Sequence, residues 1–414
     1  MGEVRPMKAF LAAFFLSAAL TAAAQPPEPR DLALDEAYKL ALARSEELAA
    51  SAEGVKQLEY AERQIRAAFR PSLYGFASET VGGGMSGRAQ AGVALDYNLF
   101  SGMRDYLAAK SAGLRSEAAA LALARAREAL YRDTARAYVN LYELGAEIRI
   151  RREQLKVAEG RLKELESRAA IGRSRRSEVV EARARLAQDE ASLQAALSDE
   201  EGARFTFAFI TGLGTGPRLA ELPVPQPGPV GNYLARAAGR RDVAAARKAL
   251  EAAESEAKAG DRLVWPSLDL SADYYLKRPS PNEKKDWEAA LSLKFPFYTG
   301  GYASAAAEQY RSRAEAARLD LRLAERRAAD EVGRAHSALA RAIAVADSLD
   351  KALALALENS ELQAADYKNG LVTNIDVLNA QNSVLQTALS LEQARARAAY
   401  AAVELEIAAG TEKQ

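Results

Sequence analysis

The sequence of 414 residues contains no cysteine. A disulfide framework and every form of thiolate chemistry are therefore excluded. It has a single histidine, His336, within Arg334-Ala335-His336-Ser337. Acid–base and metal sites need convergent partners, and none stands near it in the chain, so His336 reads as a solvated helix residue. Neither an enzyme nor a cofactor is expected. A net charge is missing too, with 56 basic residues against 56 acidic. Without a basic field, nucleic acid is not an expected partner. No long uninterrupted apolar run follows Gln25, which excludes a transmembrane helix. It leaves membrane β-strands open, because their signal is alternation and not bulk hydropathy. Proline is scarce outside a few places, while Ala, Leu, Arg and Glu dominate, so most of the chain is expected to be helical.

At the N-terminus, Arg5 and Lys8 precede an apolar run from Ala9 to Leu20 and the small residues Ala22-Ala23-Ala24. This reads as a signal peptide over 1–24, cleaved before Gln25, with Met7 as an alternative start. A membrane-anchoring helix is the competing reading, but the run is short and polar sequence follows at once. No cysteine follows it to carry a lipid anchor.

The dominant feature is duplication. Leu95-Asp96-Tyr97-Asn98-Leu99-Phe100-Ser101-Gly102 aligns with Leu293-Lys294-Phe295-Pro296-Phe297-Tyr298-Thr299-Gly300. The same offset of 198 residues relates Gly172 to Gly370, Glu178 to Asp376, and Gly212 to Gly410. Upstream, Arg70-Pro71-Ser72-Leu73 matches Trp265-Pro266-Ser267-Leu268 at an offset of 195, so one intervening loop is three residues longer in the second copy. A repeat this long is a duplicated architecture and not a solenoid unit. The first copy is assigned to 25–214 and the second to 232–414. Between them, 215–231 holds Pro217, Pro223, Pro225, Pro227 and Pro229, which predicts an extended linker.

Each copy opens with a helical pattern, Leu34–Phe69 and Tyr233–Leu263, ended by Pro71 and Pro266. Period-two alternation follows over 71–100 and 266–299. In the second copy Trp287, Ala289, Leu291, Leu293, Phe295 and Phe297 alternate with Glu288, Ala290, Ser292, Lys294 and Pro296. This predicts two β-hairpins whose strands have one apolar and one polar face. The first strand is the weakest, because Glu79 falls on its apolar side. The tips lie at Gly82–Gly87 and Arg278–Glu283. The first matches a dinucleotide-binding glycine pattern, but a strand follows it and no helix opens there to receive a phosphate.

From Gly102 to Gly172, and from Gly300 to Gly370, the chain is proline-free and helix-forming, a rod of about 100 Å. A second helix returns from each glycine to Gly212 and Gly410. Val377, Val384, Leu391, Ala398 and Leu405 form a heptad column beside the small residues Ala380, Thr387, Ala394, Ala401 and Ala408. Such columns let neighbouring helices pack closely. Two long helical hairpins, 102–212 and 300–410, are expected.

Four amphipathic strands cannot close in lipid alone. Unpaired edge groups in hydrocarbon cost several kcal/mol each, and single-chain barrels begin at about eight strands. Pooling strands from two or three copies removes the edges, and geometry admits either number.

The duplicated order of helix, Pro-Ser-Leu hairpin, aromatic-Ser/Thr-Gly and long helical hairpin resembles the TolC-like outer-membrane efflux family. The most specific stretch is Tyr367-Lys368-Asn369-Gly370-Leu371-Val372-Thr373-Asn374-Ile375-Asp376-Val377-Leu378-Asn379-Ala380-Gln381, similar to that family's helix-turn-helix tip. Leu34-Asp35-Glu36-Ala37, followed by Leu40-Ala41-Leu42, resembles its opening helix. The resemblance implies a mostly α fold with a transmembrane β part, in which three identical chains share a twelve-stranded β-barrel above an α-helical barrel. It implies placement in the outer membrane of a Gram-negative bacterium, with the helices in the periplasm and outer-membrane lipid around the strands. An exit duct of a tripartite efflux or type I secretion system is implied, joined by a periplasmic adaptor to an inner-membrane pump. Drugs, metal ions, peptides or proteins are all cargo of such ducts.

The resemblance also locates candidate residues. Asp376, Glu178, Tyr367 and Asn379 fall at the periplasmic gate, with Tyr367 in reach of Glu178. Threefold symmetry would gather carboxylates there into rings that repel one another and attract cations. Stabilisation of helix N-termini is an equally good reading of Glu178 and Asp376. Val372 and Asn379 stand where relatives could hold a base and a further acid. Gly172, Arg173, Arg175, Arg176, Gly370 and Leu371 are the candidate adaptor-contact tips, although a basic turn is by default simply solvated. Two rivals remain: a periplasmic adaptor, which would need a compact β-rich region between hairpin arms, and a coiled-coil scaffold without a channel.

Overall fold

The computed structural model describes residues 31–82, 85–214, 217–278 and 286–411. The expected signal peptide, the Gly83-Gly84 and 279–283 parts of the hairpin tips, and the start of the linker at Thr215-Gly216 lie outside these residues.

The described residues form α1 (Leu34–Arg44), α2 (Glu46–Ala67), β1 (Ser72–Gly82), β2 (Met85–Phe100), α3 (Arg104–Ala170) and α4 (Arg176–Thr211). After the linker come α5 (Val230–Ala237), α6 (Arg241–Gly260), β3 (Ser267–Lys277), β4 (Trp287–Lys294), α7 (Tyr302–Lys368) and α8 (Asn374–Ala408). The strands make one antiparallel sheet in the order β1-β2-β3-β4. The β2–β3 pairing joins the two copies, with Tyr97 opposite Leu270 and Leu95 opposite Ala272. Leu268, Leu270, Ala272 and Tyr274 stand opposite Leu293, Leu291, Ala289 and Trp287, which unites the apolar positions on one face. The other face carries Asp96, Asn98, Asp269, Ser271 and Ser292, and Asn98 donates to Asp269 at 2.8 Å. Gly92 is the close approach in this sheet. A Cβ there would lie 2.3 Å from the Tyr274 carbonyl and 2.9 Å from the Phe76 ring.

The long helices, 67 residues each in α3 and α7, run away from the sheet. Far from it, α7 packs on α8, α8 on α3 and α3 on α4; nearer the sheet the sequence of neighbours is α2, α3, α6, α7. The helical part is thus a row four helices wide along its length. The heptad column is its glue: Val377, Leu391, Ala398 and Leu405 are buried, as are Ala380, Ala394, Ala401 and Ala408 of the small column.

Three elements differ from the sequence reading. The opening helix of each copy is broken, at Ser45 and around Gly239-Arg240. Ser45 adopts an extended backbone and its hydroxyl accepts from the Leu48 amide at 3.2 Å, so it ends α1 and caps α2. Arg240 lies 195 residues further on, the offset relating the copies, and is extended likewise. Periodicity continues through both breaks, which hides them in the sequence. Strand β4 stops at Lys294, although alternation runs on to Phe297, because Pro296 has no N–H to give a ladder.

The linker is extended but anchored. The Leu32 amide donates to the Arg218 carbonyl at 2.7 Å, and the Ala220 amide to the Leu32 carbonyl at 3.0 Å. The Tyr138 hydroxyl lies 2.7 Å from both the Leu32 and Ala220 carbonyls, and burial pushes its pKa up. Around it Leu34, Tyr38, Tyr131, Ala135 and Phe207 form the largest apolar core. His336 lies with Nε2 2.9 Å from the Gly228 carbonyl, beside Tyr233, and so holds the other end of the linker against α7.

A second polar joint crosses between copies. Arg240 is almost wholly buried and donates to Asp242 at 2.9 Å, to Glu331 at 2.6 Å and to the Ala408 carbonyl at 3.2 Å, one of the orphan carbonyls ending α8. Arg125 of α3 reaches the adjacent Ile407 carbonyl at 3.3 Å and Glu128 at 2.7 Å.

Candidate functional site

At the end of the rods away from the sheet, two tight turns reverse the chain. Gly172 and Gly370 occupy the left-handed region, with φ of 73° and 74°, where a side chain is strained. The Arg173 amide bonds back to the Arg168 carbonyl at 2.8 Å, and the Leu371 amide to the Asp366 carbonyl at 3.0 Å. Both turns therefore close by the same six-to-one bond, which satisfies carbonyls at the ends of α3 and α7.

The two candidate carboxylates then start the returning helices. Asp376 accepts from the Thr373 amide at 2.9 Å and from its hydroxyl at 2.5 Å. These bonds, the hydroxyl's first, hold its carboxyl below the usual carboxylate range. Glu178 accepts from the Ser174 hydroxyl, from the Arg175 amide at 3.3 Å and from the Tyr367 hydroxyl at 3.4 Å. Each acid caps its own helix; Glu178 also reaches across to the other hairpin, and Asp376 does not.

Beneath the turns four helices meet. Leu165 of α3, Val179 and Ala182 of α4, Tyr367 of α7 and Val377 of α8 form one buried cluster, flanked by Val372. Tyr367 is the polar-headed member. Two guanidiniums lie on its ring, Arg161 at 4.1 Å and Arg168 at 5.2 Å from the centroid. Glu164 bridges them, 2.8 Å from Arg161 and 3.0 Å from Arg168. Arg161, itself buried, also donates twice to the Asn374 Oδ1, at 3.2 and 2.9 Å. The buried Asn374 Nδ2 finds no acceptor among the described residues.

Sequence reasoning missed Arg161, Glu164, Arg168 and Asn374. The signal was present: Arg161, Leu165 and Arg168 recur at i, i+4 and i+7, one helix face. Positive charge reaches Tyr367 from α3 and not from position 372. The Asn379 side chain is exposed and makes no hydrogen bond among the described residues, so it lies outside this network. Arg173, Arg175 and Arg176 are exposed at the first turn, as is Leu371 at the second, and nothing crowds Gly172 or Gly370. Among the described residues no three His, Asp or Glu side chains converge to hold a metal.

The family model for outer membrane efflux protein matches residues 37–212 and again 234–411, one stretch per copy. The chain belongs to the outer membrane efflux protein family. This efflux protein is 26% identical over 265 residues to outer membrane efflux protein BepC of Brucella suis biovar 1, covering 62% of this chain and 58% of that one. It is 28% identical over 173 residues to nodulation protein T of Rhizobium leguminosarum bv. viciae, covering 41% and 36%. The chain thus spans under two thirds of the length of the curated relatives it matches. Among solved structures it resembles CusC, with a TM-score of 0.83 at 17% identity over 91% of this chain and 92% of that one. VceC of Vibrio cholerae superposes with a TM-score of 0.80 at 22% identity, covering 91% and 96%. The open state of the Neisseria gonorrhoeae MtrE channel gives 0.78 at 22%, covering 92% and 89%. The efflux protein therefore has the α/β fold of these channels: two long helical hairpins and a four-stranded sheet in each chain.

Proposed function

We propose that three copies of this chain assemble into the exit duct of a tripartite efflux or type I secretion system, which receives cargo from an inner-membrane pump through a periplasmic adaptor. One observation carries the reading. A four-strand row and a four-helix row lie end to end, and both have open edges. Among the described residues nothing pairs with the outer sides of β1 and β4. On the edge helix α4, Phe205 and Phe209 are 69% and 81% exposed; on the edge helix α7, Leu355 and Leu362 are 66% and 58% exposed. Further copies laid side by side would pair the strands and cover these side chains, as lipid demands. Three copies, the number the resemblance implies, make a barrel wide enough for water, with the Asp96, Asp269 and Ser292 face inward. A periplasmic adaptor or a scaffold gives no reason for a sheet with one predominantly apolar face.

In this reading the tips are the periplasmic mouth. Tyr367, Glu178, Asp376 and Asn379 are gate residues. Gly172, Arg173, Arg175, Arg176, Gly370 and Leu371 meet the adaptor. Transport is powered elsewhere, and the duct supplies a wet, gated path. Native mass measurement of the detergent-solubilised protein, with conductance in planar bilayers, tests the reading. A trimer that opens discrete conductance steps is expected. A water-soluble monomer without conductance overturns it.

A further inference from the structure

The helix-side end of the sheet carries a collar that the exit-duct reading leaves unused. Four chain segments cross this level: the ends of α2 and α6, and the turns from β2 into α3 and from β4 into α7. Large apolar side chains here face solvent. Phe297 and Tyr298 are 92% and 89% exposed, and Phe69, Met103, Tyr106, Trp265, Phe295 and Tyr302 are exposed as well. Several are held in place and not trailing. The Phe295 and Phe297 rings stack at 5.4 Å. A Cβ on Gly102, itself left-handed, would lie 2.7 Å from the Trp265 Cβ, so the β2–α3 turn is pressed against Trp265.

Charge at the same level is one-sided. The Arg262 guanidinium lies 4.9 Å over the Trp265 ring, and Arg70 is exposed beside Phe69. Neither has a carboxylate partner among the described residues. Of the nearby acids, Glu62 pairs with Arg66 at 2.6 Å and Asp261 with Arg311 at 2.8 Å, while Asp105 lies in the first turn of α3, where it faces the helix N-terminus. Amphipathic rings with unneutralised guanidiniums beside them match the boundary where acyl chains give way to phosphates. At the opposite end of the sheet Trp287 pairs with Tyr274, and β4 spans eight residues to Lys294, about 25 Å, the height of an apolar membrane band.

We propose that this collar is a binding surface for anionic phospholipid of the helix-side leaflet, with Arg262 and Arg70 on the headgroup phosphates and Trp265, Phe297 and Tyr298 at the acyl boundary. The inference rests on the membrane reading of the sheet. The chain has two tryptophans, so Trp287→Phe leaves Trp265 as the reporter. The full-length assembly is placed in phosphatidylcholine vesicles containing a minor share of acyl-brominated phosphatidylglycerol, or the same share of brominated phosphatidylcholine. Stronger quenching of Trp265 by the brominated phosphatidylglycerol is expected. Arg262→Gln and Arg70→Gln should each lower that preference about fivefold, the change matching ~1 kcal/mol for a basic side chain at an anionic surface. Equal quenching by both lipids overturns the inference while leaving the membrane reading intact. So does preference for added lipopolysaccharide over phosphatidylglycerol, or a preference that both arginine variants retain. Absence of quenching by either lipid overturns the membrane reading itself.

Discussion

The guanidinium of Arg161 lies 4.1 Å from the centre of the Tyr367 ring and so ties α3 of the first copy to α7 of the second. Tyr367 donates to Glu178 at 3.4 Å, a long hydrogen bond worth at most about 1 kcal/mol. Arg161 adds two bonds to buried Asn374 and an ion pair with Glu164. Arg161→Ala strips Asn374 of its donor and should cost ~2–4 kcal/mol of tip stability. Tyr367→Phe combined with Glu178→Ala should raise the leak of large antibiotics into cells modestly, and Arg161→Ala should raise it further. An equal leak from Tyr367→Phe alone would assign the clasp to the hydroxyl and not to the stacked ring.

The arginines of the first turn differ in kind. Arg173, Arg175 and Arg176 are exposed and make no side-chain ion pair among the described residues. Reversing all three to Glu should leave thermal stability unchanged, because exposed charges contribute little to it. Cross-linking to the adaptor from residues beside Gly172 should fall by at least about tenfold, the effect of ~1.4 kcal/mol lost in docking. Normal cross-linking would return these arginines to the status of a solvated turn.

What was legible in the sequence was whatever has a period. Alternation located the strands, the heptad column located the packed seams of α8, and a fixed offset exposed the duplication. Contacts between distant segments have no period and stayed hidden. Asn98 meets Asp269, and Arg125 meets the Ile407 carbonyl, only because the sheet and the rods bring the two copies side by side. The break at Ser45 escaped because apolar spacing survives it. Arg161 looked like one more surface base in a helix rich in them; its burial depends on Asn374, which arrives from another hairpin.

The joint at Arg240 is sensitive to acid. Burial alone would raise the Asp242 carboxyl, but its bonds to Arg240 outweigh this and hold it below the usual range. A group with a depressed folded pKa contributes stability above its unfolded value, about 3.9 for Asp, and loses it as pH falls through the folded value. The unfolding-temperature gap between the native protein and Asp242→Asn should therefore be constant from neutral pH to about pH 5 and shrink below about pH 4. Arg240→Ala removes a partner from two carboxylates that water can reach and from the Ala408 carbonyl, and should cost ~1–3 kcal/mol at neutral pH.

The two faces of β4 supply the sharpest test of which side meets lipid. Leu291 and Ser292 are adjacent in sequence and point to opposite faces; Leu291 stands against Leu270, and Ser292 against Asp269. A lysine at 291 would enter hydrocarbon if the apolar face is outward, at a cost of ~2–4 kcal/mol near mid-depth for each copy. A lysine at 292 would join Asp269 on a wetted face, at little cost and with partial neutralisation. Leu291→Lys should abolish the heat-modifiable assembled form on electrophoresis. Ser292→Lys should retain it and shift ion preference in planar bilayers away from cations. If both variants assemble equally well, the apolar face does not meet lipid, and the sheet must be covered by something other than a membrane.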